Sequence, residues 1–355
     1  MCPAIQRPVA GDVLTRADLV GVAGEPRIRV EWRSEADGPA TLNGTPVRTV
    51  GGIGGAEAVL NPGGNMIVLE DASGRAEAPV WLDAEPGPRY RVSVDDCVWF
   101  LRDVARGGYR SLFDNPWPAG WRSLHERYGM KVHLNVYLED PDSGFTLAEM
   151  PDRFRGEWAD NADWLRLTWH ARSDKPDRPY LGAPVEAVLR DYRQVTDQIL
   201  RFAGPQSLTD FTTIHWGEAS REVCAALRDE GVRGLVGYFL VERGRPSVAY
   251  YLDAEQTEHL SRRDAWVDTS LDLVLVRHDA VLNLLPAAGV VPHLEAVAAR
   301  PHEAEVLELM IHEQYFSPAY PGFQPDAWQK VEAAVRWASE RGYAPVFYGE
   351  EGRLV

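Results

Sequence analysis

At 355 residues and about 100 to 200 residues per domain, the chain calls for two domains, or one large domain with an appendage. Apolar residues make up 45% and charged residues 25%, the proportions of an ordinary globular protein, which exclude a disordered, collagenous or coiled-coil chain. Acidic residues outnumber basic ones 53 to 37, a formal net charge of -16; so anionic a body repels phosphate, excluding general nucleic-acid or acidic-membrane binding and leaving neutral or cationic ligands, or a metal that recruits carboxylates.

From about 25 to 87 the chain reads as short strands (RIRVEWRS, DGPATLNGTPVRTV, AEAVLNPGGNMIVLED, APVWLD) separated by glycine, proline and asparagine, with Asn43-Gly44 as a strong hairpin signal. This predicts a small all-β sandwich over 1–87, Ig-like, closed by a linker at AEPGPR, 84–89. Beyond it strand-like and helix-like runs alternate, the pattern of a parallel α/β sheet or barrel. In order they are YRVSV, the helix CVWFLRDVAR, a helix over 118–128 ending at Gly129, KVHLNVYL, the helical PDRFRGEWADN, DWLRLTWH, the amphipathic 183–203, DFTTIHW and the helix SREVCAALRDEG. VRGLVGYFL, SVAYYL, a short polar helix over 253–263, LDLVLVR, a helical region to 299, EVLELMIHEQYF, the helix 325–341 and APVFYG complete the chain. About seven strand–helix units over 88–355 approach the size of a single β/α barrel.

Cys2, Cys97 and Cys224 form no CxxC pair and predict neither a disulfide framework nor a zinc knuckle. No apolar run reaches the roughly 18 residues of a bilayer span and the N-terminus lacks an apolar signal core, so the expectation is a cytoplasmic protein with no membrane partner.

In a parallel β/α barrel the active site lies at the C-terminal ends of the strands. Four apolar strands end in polar, potentially metal-binding residues: Asp95-Asp96, His170, His215 and His312-Glu313. Each has a plainer reading: Asp96 as the N-cap of the following helix, a lone histidine as a hydrogen-bonded structural residue. Adjacent carboxylates nonetheless raise one another's pKa unless a cation is shared. His170 and Asp174 stand four positions apart and share a side if the segment turns helically, although Asp174 also reads as a turn residue in SDKPDRP. An aspartate, a histidine and a further carboxylate or histidine make a three-ligand site with open positions, as catalytic zinc prefers. Trp99, Trp169, Trp216, Tyr315 and Phe316 flank these positions, fitting either sugar-ring stacking or a barrel core.

These residues resemble the polysaccharide deacetylases, also called carbohydrate esterase family 4 or the NodB-homology domain, over about 90–350. SVDDC resembles the first motif, His170 to Asp174 the second, HWGEASREVCAALRDEGVRGL the stretch around the third, and MIH, ending at His312, the last. The resemblance implies a distorted (β/α)7 barrel, Asp95 as catalytic base, His312 as general acid, and a divalent ion, Zn2+ by expectation, on Asp96, His170 and Asp174 or His215. It implies a hydrolase that removes an N- or O-acetyl group from a carbohydrate; the residues flanking the site place Trp99, Trp169, Trp216, Glu313 and Tyr315 toward that substrate by expectation. The chain departs from the family at Thr212-Thr213-Ile214-His215-Trp216-Gly217, where the third motif carries an arginine that orients the base. Two other readings stay open: a glycoside hydrolase on the same barrel with Asp95 and Glu313 as paired carboxylates, and a non-catalytic carbohydrate-binding protein. Trp32 and Trp81 give the N-terminal domain an expected accessory role toward a glycan, against a plain structural cap, and an exposed sheet edge there could pair with a second copy.

Overall fold

A computed structural model describes residues 2–21, 24–83, 87–350 and Leu354; the expected linker falls in part on 84–86, outside the described residues. The chain divides into two units, one of residues up to 86 together with 265–274, the other of 87–264 and 275–353.

In the first unit, β1 (Ala4–Arg7), β2 (Val13–Leu14), β3 (Arg27–Arg33), β4 (Gly38–Leu42), β5 (Thr45–Thr49), β6 (Ile53–Val59), β7 (Gly63–Asp71) and β8 (Gly74–Leu82) form two sheets, ordered β1-β3-β6 and β2-β8-β7-β4-β5. Along β3, Ile28, Val30 and Trp32 are buried and the intervening charged residues exposed, the two-residue period of a half-buried strand. They join Leu42, Ile67, Leu69 and Val80 of the other sheet in one apolar cluster. Asn43 and Gly44 link β4 to β5 at φ 49° and 78°, the left-handed pair that a type I′ hairpin requires. Trp32 is not available to a glycan: it is 1% exposed, and its ring lies where a Cβ on Gly54 would come within 2.0 Å. Its indole N–H donates to Thr49 Oγ1 at 3.0 Å, so it serves the core. Trp81 stays half-buried along a groove of about 390 Å³ with Asn65, Met66 and Thr269. Segment 265–274 is held by bonds from Trp266 Nε1 to Ala10 O and from Val267 N to Gly11 O, each 2.8 Å.

From residue 87 strands and helices alternate: β9 (Arg89–Cys97), α1 (Trp99–Arg106), α2 (Pro116–Tyr128), β10 (Val132–Tyr137), α3 (Arg155–Asp160), β11 (Leu165–Ala171), α4 (Val185–Phe202), β12 (Phe211–Thr212), α5 (Arg221–Asp229), β13 (Gly234–Gly237), α6 (Ala254–Leu260), β14 (Leu273–Arg277), β15 (Ala280–Val281), α7 (Ala287–Ala298), β16 (Val306–His312), α8 (Ala327–Glu340) and β17 (Ala344–Pro345). One sheet includes β11-β10-β9-β16-β15 in that order, parallel along these pairs, and a second includes β12-β13-β14 in that order. Central β9 is buried almost end to end, as a parallel strand covered on both faces must be. The mixed, largely parallel α/β architecture therefore stands, but its strands do not make one continuous ladder. Between β11 and β12 the described residues show a single bridge, Leu167 to Leu208, supplemented by Thr168 Oγ1 donating to Thr209 O at 3.2 Å and by a bond from Thr212 Oγ1 to Trp169 O.

Two expected strands are shorter or absent. DFTTIHW is a strand only at Phe211–Thr212, because the chain turns at His215–Gly217 with Trp216 at φ 65°. SVAYYL is a turn, with Val248 and Tyr250 at φ 49° and 53°. Among the described residues no helix is long and apolar enough to cross a membrane.

Candidate active site

Adjacent residues on a strand point to opposite faces, so a regular β9 would send Asp95 and Asp96 apart. A β-bulge prevents this: Leu134 of β10 pairs with Val94, but Val136 pairs with Cys97, so Asp95 and Asp96 together face Asn135. Asp96 takes the left-handed φ of 63°, a strained conformation of the kind that gathers at functional sites. β11 repeats the device, Val136 pairing with Trp169 and Tyr137 with Ala171, which leaves His170 as the extra residue. His215 arrives from the turn after β12.

Ligand atoms of Asp96, His170 and His215 all lie within 4.8 Å of one another. His170 Nε2 is 3.1 Å from Asp96 Oδ1, and His215 Nδ1 is 3.2 Å from His170 Nε2 and 3.3 Å from Asp96 Oδ1. Nδ1–H of His170 donates to Thr213 O, which leaves the lone pair of Nε2 facing the cluster, as in metal-bound histidines whose other ring nitrogen donates to a carbonyl. The donor set and its spacing therefore fit a divalent ion. Tyr137 donates its hydroxyl to Asp96 Oδ1 and lies 2.9 Å from His215 Nδ1; Gln314 Nε2 donates to Asp96 Oδ2 at 2.8 Å.

Asp95 and His312 are register partners on neighbouring strands. Asn135 Nδ2 donates to Asp95 Oδ1 at 2.6 Å, and His312 Nδ1 donates to Asn283 Oδ1 at 2.9 Å, which leaves Nε2 for proton traffic. Burial, followed by the charge of Asp96, pushes the Asp95 carboxyl well above the usual carboxylate range. Burial also opposes ionisation of Asp96, but its contacts with His170 and His215, followed by the charge of His312, outweigh it and hold that carboxyl well below the range. Burial lowers His312, with the charge of Asp96 pulling the other way.

The other expected site residues fall in different places. Asp174 is exposed, in a non-helical stretch outside the three-residue cluster, so its spacing from His170 sets no shared face; burial and then the nearby acidic charges raise its pKa against the pull of Lys175. Trp169 is fully buried between Tyr180 and Tyr192, which removes it from substrate contact. Trp216 is 41% exposed with Arg178 over its ring at 4.9 Å. Trp99 and Tyr315 are partly exposed, both edge-on to Tyr320 at 6.1 and 5.3 Å, while Phe316 packs with Trp117, Trp121 and Trp328.

Glu313 is 3% exposed, and its oxygens accept the N–H groups of Val98, Trp99 and Phe100 at 2.6, 2.9 and 2.6 Å. It caps α1 from the turn that follows β16, so a glycosidase pairing with Asp95 loses its second carboxylate. Glu313→Ala strands three buried donors and is expected to cost about 3 kcal/mol of stability, read by denaturant unfolding, with the metal trio kept. A stable Glu313→Ala that has lost turnover alone would restore the carboxylate to the chemistry.

Asn135, Tyr137, Gln314, Asn283 and the carbonyl of Thr213 were not anticipated. Asn135 and Tyr137 carried a usable signal, polar residues two apart at the end of KVHLNVYL; Gln314 and Asn283 carried none. Below the cluster β9 and β16 bury Arg91 and Glu308, fully enclosed and paired through two bonds of 2.7 and 2.9 Å. His133, Ser93 and Tyr348 add bonds of 2.6, 2.7 and 2.8 Å.

No protein-family model matches the sequence, and no curated protein matches it. Among solved structures, the chain is similar to a 4-alpha-glucanotransferase from Thermococcus litoralis, with TM-score 0.47 and 12% identity over 74% of this chain and 40% of that one, so it spans well under half of that enzyme's length. It is similar to the peptidoglycan deacetylase PdaC from Bacillus subtilis, with TM-score 0.33 and 10% identity over 73% of this chain and 87% of that one. A family 4 acetyl xylan esterase from Clostridium thermocellum, solved with a cobalt ion, gives TM-score 0.36 and 12% identity over 72% of this chain and 86% of that one.

Proposed function

We propose that this chain is a metal-dependent hydrolase that removes an N- or O-acetyl group from a carbohydrate, working at the strand ends of a distorted β/α barrel. The observation that carries the reading is the convergence of Asp96, His170 and His215 within 4.8 Å, with Asp95 and His312 side by side on the adjoining strands. A divalent ion held by that trio, Zn2+ by its donor set, supplies a Lewis acid that polarises an acyl oxygen and acidifies water. Asp95 takes the proton of the attacking water; its raised proton affinity makes it a stronger base. A bond forms between the water oxygen and the acyl carbon, and the bond from that carbon to the sugar nitrogen or oxygen breaks as His312 Nε2 hands its proton to the leaving atom. The lowered pKa of His312 makes its charged form a stronger acid. Tyr137 and Gln314 hold Asp96 in place. Trp99, Trp216 and Tyr315 offer partly exposed rings, on which the C–H faces of a sugar pack.

The test is elemental analysis of the purified chain, combined with acetate release from N-acetylated chito-oligosaccharides and O-acetylated xylo-oligosaccharides. A stoichiometric divalent ion is expected, with release stopped by chelation and restored by metal. Chain cleavage without acetate release, or turnover indifferent to chelation, overturns the reading.

A further inference from the structure

On its β13 side the segment before Thr213 is paired, Thr212 with Leu235. Toward β11 the described residues show only the bridge at Leu167 and Leu208 and the side-chain bonds from Thr168 Oγ1 to Thr209 O and from Thr212 Oγ1 to Trp169 O, and His170 and His215 both depend on that backbone. Asn135 stands at the gap, fully buried. It belongs to β10, between β9 and β11, opposite the bulge that presents Asp95 and Asp96. Its Oδ1 accepts the N–H of Thr213 at 3.2 Å, and its Nδ2 donates to Asp95 Oδ1 at 2.6 Å. An N–H can only donate, so the Thr213 bond fixes which end of the amide is oxygen, and the remaining end must present a donor to Asp95. The carbonyl of the same Thr213 then accepts Nδ1–H of His170. One amide thereby ties Asp95 on β9, the end of β12 in the second sheet and, through Thr213, the ring orientation of His170.

We propose that Asn135 is a positioning residue for the metal trio and for Asp95 together, its amide reaching Thr213 where, among the described residues, β11 and β12 form no regular ladder. The proposal rests on the metal-centre reading given above. Without Asn135, the N–H of Thr213 loses its acceptor, the carbonyl that orients the His170 ring is held less firmly, and Asp95 loses a donor, although Asn135 itself is no member of the trio.

The experiment is Co2+ titration of the full chain, followed by calorimetry and by visible absorption, in wild type, Asn135→Ala and Asn115→Ala. Asn115 caps α2 through Trp117 N at 2.9 Å and makes none of the contacts described at the site, so its loss is a purely structural control. Asn135→Ala is expected to weaken Co2+ binding by about tenfold to a hundredfold, the usual penalty for an outer-shell partner, and to alter the absorption bands. Asn115→Ala is expected to change neither. Should Asn135→Ala fail to fold, Asn135→Leu fills the same volume without either hydrogen bond and carries the same expectation. Wild-type affinity and an unaltered spectrum in the folded Asn135 variant overturn the inference and leave the metal centre standing. A wild type that binds no Co2+ overturns the metal centre and this inference with it.

Discussion

His170→Ala is expected to empty the metal site and to lower acetate release by about a thousandfold or more, the several kcal/mol that Lewis-acid catalysis supplies. The size of the effect follows from how His170 is held. Its Nδ1 is committed to Thr213 O, so its Nε2 can serve only the cluster, where it lies 3.1 Å from Asp96 and 3.2 Å from His215. Removing it leaves two protein ligands, one fewer than catalytic zinc sites provide. Elemental analysis of the variant, set beside its turnover and its melting curve, is the check. Full metal occupancy in His170→Ala would remove this residue from the ligand set, and unchanged acetate release would sink the metal-dependent mechanism.

The second large effect concerns stability. Glu308→Ala is expected to destabilise the second unit by about 3 to 5 kcal/mol, because it leaves the Arg91 guanidinium buried without its partner. Both side chains are 0% exposed, and Ser93 and Tyr348 also donate to the lost carboxylate. Replacing both charges, as Arg91→Met with Glu308→Leu, is expected to recover a good part of the loss, since two apolar groups of similar volume need no compensation for desolvation. Denaturant midpoints of the single and double variants decide it. A single variant costing less than about 1 kcal/mol would mean that water reaches Arg91 and that the layer is not dry.

How far the site could be read from the sequence depends on whether a residue's position follows from local rules. His170 and His312 end long apolar runs that become buried strands, and an ending is visible in the residues themselves. The same rule misled at Asp174, where four-residue spacing means a shared face only in a helix, and the chain there is a turn stretch. It misled at Trp169 as well: proximity in sequence to His170 places a strand neighbour on the opposite face, here among Tyr180 and Tyr192. Glu313 looked like chemistry because it follows His312, but its oxygens are occupied by the first amides of α1. That contact joins residues more than 200 positions apart, and no local pattern announces it.

By itself the sequence determined the classes of element and their order: half-buried strands first, then parallel strands alternating with helices, with carboxylates and imidazoles at the strand ends. Those follow from hydrophobic period, turn residues and composition, which act over a few neighbouring residues. Only the tertiary structure decided which strand-end groups meet. Two bulges, at Asp95-Asp96 and at His170, turn side chains that an ideal strand would send elsewhere, and the turn after β12 brings His215 in to complete the trio. Bulges and breaks are settled by the pairing of one strand with its neighbours, a long-range energy that no single strand's sequence contains. The acidic excess is resolved in the same way: Asp96 stands within the trio and Asp95 beside it, and the protein around them, not their number, holds one carboxyl below its ordinary range and pushes the other above it.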